Sequence, residues 1–191
     1  MDLFRRDKDK DDVHGTKVLV CALDNRFDDL LKIDSEIYGR YYQATTAAVL
    51  PSIQALFGHL EQKYDIVHLL CDVTAQGTIA DANGAEITGT ELIQRCCDQN
   101  VKLLWSGSDN QPERYIKGFG ARGKRLNLVM TIKRKDLNFA GFLGKLVSKM
   151  ANGETMPVAW NELCPQIPNS THPDAPESIF FAGRGGVRLL A

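Results

Sequence analysis

Four short apolar runs, each followed by a stretch of helical spacing, restrict what this chain can fold into more than any other feature. They are KVLVCAL at 17–23, YDIVHLL at 64–70, VKLLW at 101–105 and LNLVMTI at 126–132. Near-continuous runs of this length, rich in Val, Leu and Ile, characterise strands buried on both faces. Between them the period changes. Phe27, Leu30, Leu31 and Ile37 follow a partial helical spacing. Ile53, Leu56, Phe57 and Leu60 fall at i, i+3, i+4 and i+7, one apolar helical face. Leu92, Ile93, Cys96 and Cys97 share a side of the next helix, and Phe139, Phe142, Leu143, Leu146, Val147 and Met150 make the clearest amphipathic pattern. Strands that alternate with helices predict an α/β domain of doubly wound type, a mostly parallel sheet flanked by helices.

Local signals fill in the rest. Tyr41 to Thr46 reads as a further short strand, and Pro51 as the opening residue of a helix. GTIADANGAEIT, after the third strand, predicts a small hairpin turning at Asn83-Gly84. Thr88 and Glu91 have capping-box spacing. Pro112 starts another helix, which Gly118, Gly120 and Gly123 end. Pro157 to Pro176 reads as a Pro-rich loop, and IFFAGRGGVRLL as two strands about a Gly-rich turn, an antiparallel C-terminal edge.

The chain has 191 residues, 43% of them hydrophobic, which suits one domain over 16–191 with a full core. Residues 1–15, with mixed charge and no apolar signal core, are expected to be a disordered tail. A formal net charge of −1 gives no reason to expect a nucleic-acid binder. No apolar run approaches the ~20 residues needed to span a bilayer, so no membrane association is expected. The five cysteines form no CxxC pair, and a reduced, cytoplasmic setting is the simplest inference.

Ligands on parallel sheets bind beyond the carboxyl ends of the strands. The residues there are Asp24, Cys71, Asp72, Ser106, Ser108, Asp109, Lys133, Arg134 and Lys135. Asp24, Asp72 and Asp109 are read as caps of turns and helix starts rather than as Mg²⁺ ligands, so no metal and no cofactor are expected. His68 and Cys71, three apart on a strand, point to opposite faces and read as core rather than as a dyad. Cys96 and Cys97 read as core rather than as a redox pair. The GRGG segment lacks the Lys-Ser/Thr ending of a phosphate-binding loop and reads as a turn. Core packing is the expectation for Trp105 and Trp160, an exposed Trp160 being the mark of a partner surface. Between Arg114 and Lys135 stand eight cations, Lys133 to Lys135 among them. They are either a solvated surface or an attractor for an acidic peptide or a phosphate group. Few aromatics interleave with them, which argues against nucleic acid.

Several of these stretches carry a family likeness. YDIVHLLCD is similar to a strand that runs aromatic-Asp-Ile-Val-His and ends in a His-Gly pair. TIADANGAEITGTELI resembles the segment after that His, and VKLLWSGSD the strand that ends in Ser-Ala-Cys. LNLVMTIKRKD, with the helix closed by Asn152-Gly153, resembles the last shared strand and helix. Taken in order over roughly residues 17–190, the pattern resembles the CHAT branch of the caspase-like cysteine peptidases. The resemblance implies a single caspase-like domain. It also implies where the chemistry is lost. The base His falls on Asp72, and the nucleophilic Cys on Gly107, or on Ser106 or Ser108 if the loop shifts by one. A carboxylate is too weak a base to activate a hydroxyl at neutral pH. The expectation is a catalytically inactive, pseudo-peptidase module that acts as a protein-interaction or regulatory subunit, with a protein partner or acidic peptide segment. The family implies a bacterial signalling or defence assembly. An active cysteine or serine peptidase with a displaced dyad, and a flavodoxin-like binder of a phosphorylated ligand, stand as alternatives.

Overall fold

A computed structural model describes residues 12–74, 76–107, 125–131, 139–163 and 178–191. At its centre all four apolar runs become adjacent strands. These are β2 (Lys17–Ala22), β4 (Ile66–Leu70), β8 (Leu103–Gly107) and β9 (Asn127–Thr131). Their pairing is parallel throughout: β2 with β4, β4 with β8, and β8 with β9. The runs are apolar at nearly every position because both faces of the sheet are covered. Within β4, β8 and β9 every residue is buried. β3 (Ala44–Val49) adds to the outer side of β2, in parallel, and β10 (Ser178–Ala182) adds to β9, antiparallel. The six strands run in the order β10-β9-β8-β4-β2-β3.

Helices cover the two faces unequally. On one lie α2 (Ile53–Leu60) and α3 (Gly89–Asp98), whose Leu56, Leu60, Leu92 and Cys96 meet Leu19, Cys21 and Leu69 of the strands. On the other lie α1 (Asp28–Gly39), α4 (Phe139–Ala151) and α5 (Met156–Leu163). Phe139, Phe142, Leu143, Leu146, Val147 and Met150, the predicted stripe of α4, are all buried there. The capping signal also holds, since Thr88 accepts a hydrogen bond from the Glu91 N–H at 3.1 Å. No helix among the described residues is long and apolar enough to cross a membrane.

Several expectations are corrected. The second strand starts at Ala44, later than Tyr41, because Tyr41 and Tyr42 still donate their N–H groups to Tyr38 O at the end of α1. Pro51 does not open α2. Ser52 caps that helix, its hydroxyl accepting from Ala55 N–H, and Pro51 precedes the cap. The expected loop at Pro157 begins instead as α5, with Pro157 in its first turn, where no intrahelical N–H is needed.

The two strands flanking GRGG do not pair with each other. β10 joins the main sheet, while β11 (Arg188–Leu189) pairs in parallel with β1 (Asp12–Val13). Asp12 and Val13 fall within the expected tail, but their partner strand is the other end of the chain, which no local signal reveals. The loop between β10 and β11 is held by buried Asn127. Its side-chain oxygen accepts from the N–H groups of Arg184 and Gly185, both at 3.1 Å, and its amide donates to Gly185 O at 3.0 Å. Gly185 has φ +77°, which suits a residue without a Cβ. The first part of the expected tail, the helix expected from Pro112 and the loop beyond Leu163 lie outside the described residues.

Candidate functional site

The chain leaves β2 for β3 on one side and returns to β4 on the other. The crevice beyond the carboxyl ends of β2 and β4 is therefore the topological switch point of the sheet, the preferred ligand position in such folds. Asp24 follows β2 there and Asp72 follows β4. The protein's own groups occupy this place. Asp24 caps a short 3₁₀ turn over Asn25–Phe27, accepting from Arg26 N–H at 2.9 Å, as a turn carboxylate should. Arg26 then spans the crevice. Its guanidinium ion-pairs with Asp72 and lies 3.6 Å from Asp24. Both partners of the Arg26–Asp72 pair are substantially exposed, so solvent screens it and its contribution to stability is small.

A hairpin borders the crevice, tied to the ends of both strands. β5 (Asp72–Val73), β6 (Thr78–Ala80) and β7 (Glu86–Thr88) form a small antiparallel sheet. Its turn falls at Asn83-Gly84 as predicted, and Gly84 has φ +79°. Ala82 N–H at that turn donates to Leu23 O at the end of β2. Asp81 lies beside it. One carboxylate oxygen accepts from Asn83 and Ala85 N–H, and the other from Ile53 N–H at 3.0 Å in the first turn of α2. A free helix N-terminus attracts anions, and here the anion is an internal aspartate. Burial pushes the Asp81 carboxyl up. The backbone donors Ile53, Ala85, Asn83 and Gly84 outweigh that and hold it below the usual carboxylate value.

The expected core thiols are core. Cys21, Cys71, Cys96 and Cys97 are all buried, and burial pushes the Cys21, Cys96 and Cys97 thiols up, away from the reactive thiolate. Cys71 and His68 do lie on opposite faces of the sheet. Cys71 Sγ packs on the α2–α3 side, 3.7 Å from Ser106 Oγ. His68 is fully buried on the α1–α4 side. Its ring stacks on Trp105, with centroids 5.3 Å apart, Nδ1 is 3.3 Å from the Tyr38 hydroxyl, and Nε2 is 3.4 Å from Asp34 Oδ2.

Gly107 completes this arrangement. A Cβ on Gly107 would meet Leu70 Cδ2 at 3.1 Å and His68 Nε2 at 3.7 Å. This strand-end position beside the imidazole thus carries no side chain, while the neighbouring hydroxyl of Ser106 lies against the Cys71 thiol on the opposite face of the sheet from His68. Ser108, Asp109, Lys133, Arg134 and Lys135 lie outside the described residues, so the structure brings together only Asp24, Cys71, Asp72, Ser106 and Gly107 at this edge.

Three participants were missed from sequence. Arg26 carried a weak signal, a cation a few residues beyond a strand end. Asp81 carried a better one, an acid opening a turn that contains Asn-Gly. Asp34 interrupts the buried stripe Leu31, Ile37, Tyr38 at a core position, and that interruption was legible. Trp160 packs against Trp105, Phe142 and Phe180 at centroid distances of 6.1, 5.4 and 5.4 Å; it is half-buried, at the margin of the core rather than within it. Among the described residues no three His, Cys, Asp or Glu side chains are grouped to hold a metal ion. No protein-family model matches the chain, and no curated protein shows significant similarity to it.

Proposed function

We propose that this chain is a non-catalytic module with a caspase-like fold, acting as a protein-interaction or regulatory subunit. One observation carries the reading. At the two positions that the resemblance assigns to a dyad stand Asp72, ion-paired to Arg26, and Gly107, which has no side chain to offer His68. A cysteine peptidase needs a thiol within reach of an imidazole. The described thiol nearest this edge, Cys71, is separated from His68 by the thickness of the sheet. A second fact bears on the phosphorylated-ligand alternative: the N-terminus of α2 already holds an internal anion, Asp81, through Ile53 N–H. The role in a bacterial signalling or defence assembly, and the attraction of an acidic partner segment to the stretch 114–135, rest on the family resemblance and the charge pattern.

The test is direct. The protein is incubated with a mixture of unstructured peptides and, separately, with a thiol-directed active-site probe. The expected result is no turnover and no labelling of the native fold. Turnover that disappears in Cys71→Ala would overturn the reading and establish a peptidase. For the partner class, a poly-glutamate peptide is expected to bind at low salt and to weaken as salt rises. Replacing Lys133, Arg134 and Lys135 by Ser should abolish that binding, and unchanged binding would remove the acidic segment from the proposal.

A further inference from the structure

We infer that the outer edge of β3 is a self-pairing surface, through which two copies of this chain join their six-stranded sheets edge to edge.

β3 pairs with β2 over its whole length, Lys17↔Ala44 through Ala22↔Val49, without a bulge. Its other side has no strand partner among the described residues. Leu50, just past the strand, donates its N–H inward to Ala22 O. Backbone direction alternates along a strand. Ala44, Thr46 and Ala48 therefore share the inward direction of Leu50, and Thr45, Ala47 and Val49 turn their N–H and C=O groups outward. Ala44, Ala47 and Val49 are exposed, Val49 at 44%.

Edge strands in native proteins are normally guarded by Lys, Pro, a bulge or a covering segment. Among the described residues β3 has none of these. From Tyr41 to Leu60 there is no Asp, Glu, Lys or Arg, although a quarter of the chain's residues are charged. The strand itself, ATTAAV, is small, β-branched in half its positions, and neutral.

The occupant is a second β3, because the edge is complementary to itself. In an antiparallel pairing centred on Ala47, Ala47 faces Ala47 of the other copy and Thr45 faces Val49. Every outward N–H and C=O group of the strand is then paired. The ladder ends at Pro51, which has the outward parity but no N–H to donate. No like charges meet, and the Thr–Val pairs are of the β-branched type favoured across strands. A two-fold arrangement of this kind is the commonest oligomer geometry. An acidic or basic peptide would find no opposite charge on this edge.

The experiment uses the full chain in sedimentation velocity over a dilution series. Wild type is expected to sediment at twice the chain mass and to dissociate on dilution. Ala47→Lys sets two ammonium groups against each other at the two-fold axis and should weaken the dimer by roughly tenfold or more. Ala47→Pro removes the outward N–H at an edge position where Pro is tolerated, and should do the same. Ala47→Cys should form an intermolecular disulfide on mild oxidation. Circular dichroism checks that each variant is folded. If both single-residue variants misfold, hydrogen exchange on wild type decides: Thr45, Ala47 and Val49 amides should become protected as concentration rises. A wild type that is monomeric throughout, a dimer undiminished in folded Ala47→Lys, or fast exchange at every concentration would each overturn the inference. None of these outcomes touches the proposal of a non-catalytic module, which is read from peptide turnover.

Discussion

The two faces of the central sheet are built from different chemistry. The α2–α3 face is hydrocarbon and thiol: Leu19, Leu56, Leu60, Leu69, Val67, Cys21 and Cys96 pack with almost no polar atom among them. The α1–α4–α5 face contains a chain of polar and aromatic groups. Asp34, His68 and Tyr38 meet there, His68 stacks on Trp105, and Trp105 Nε1–H donates to Thr131 Oγ1 at 2.8 Å. The first face constrains volume, which many apolar combinations satisfy. The second constrains identity, because each buried polar group needs its own partner in the right place. Gly107 opens toward that second face. The imidazole nearest the candidate site is therefore part of a structural network.

The comparison breaks most sharply at Asp34. Asp34→Ala leaves His68 without its carboxylate in a buried setting and should lose about 3–5 kcal/mol in urea unfolding. Replacing both, Asp34→Leu with His68→Met, should lose less than the single change, because the buried carboxylate and the imidazole facing it are then both removed and Tyr38 alone loses a hydrogen-bonding neighbour. A double variant as unstable as Asp34→Ala would mean that volume rather than polarity governs this face.

On the apolar face the expected pattern is the reverse. Leu56→Ala should cost about 2–5 kcal/mol through the cavity it opens. Leu56→Met, which keeps the volume, should cost less than about 1.5 kcal/mol. If Leu56→Met proves as costly as Leu56→Ala, the supposed tolerance of this face is wrong.

Asp81 joins the hairpin to the apolar face, and its effect depends on pH. Asp81→Ala removes the carboxylate that accepts from the backbone N–H groups of Ile53, Asn83 and Ala85, and should cost about 1.5–3 kcal/mol at neutral pH. The folded state holds this carboxyl below its ordinary value. Its stabilisation is therefore complete above the unfolded value, near pH ~4, and is lost as pH falls through the lower folded value. Wild type and variant should draw closer in stability as pH falls through that lowered value. A gap that stays constant with pH would show that the carboxylate charge plays no part.

The smallest effect is expected on α4. Gly141 and Gly144 sit in its interior, and a Cβ on either would meet nothing within 4 Å. They border an open groove between α1 and α4, together with Ile37 and Tyr41. Gly141→Ala and Gly144→Ala should each add about 0.5–1 kcal/mol in thermal or urea unfolding, since glycine is a poor helix residue. A loss of stability would show that the groove closes in solution.

What the chain order alone determined is what depends on near neighbours. The central strands, the α4 stripe, the Thr88 cap and the Asn83-Gly84 turn all follow from period, capping chemistry and backbone freedom within a few residues. The helix and strand patterns also determined the parallel order of the central strands, because right-handed crossovers leave few alternatives. Tertiary structure decided the pairings between distant segments, where the deciding contact lies far along the chain. β1 meets β11 at Asp12↔Arg188, Asp81 caps α2 through Ile53, and Asp34 meets His68. Arg26 pairs with Asp72 rather than with solvent only because β2 and β4 are neighbours. A local pattern cannot encode such pairings. Their energies depend on burial and on which groups converge once the sheet has formed, and both are properties of the folded chain.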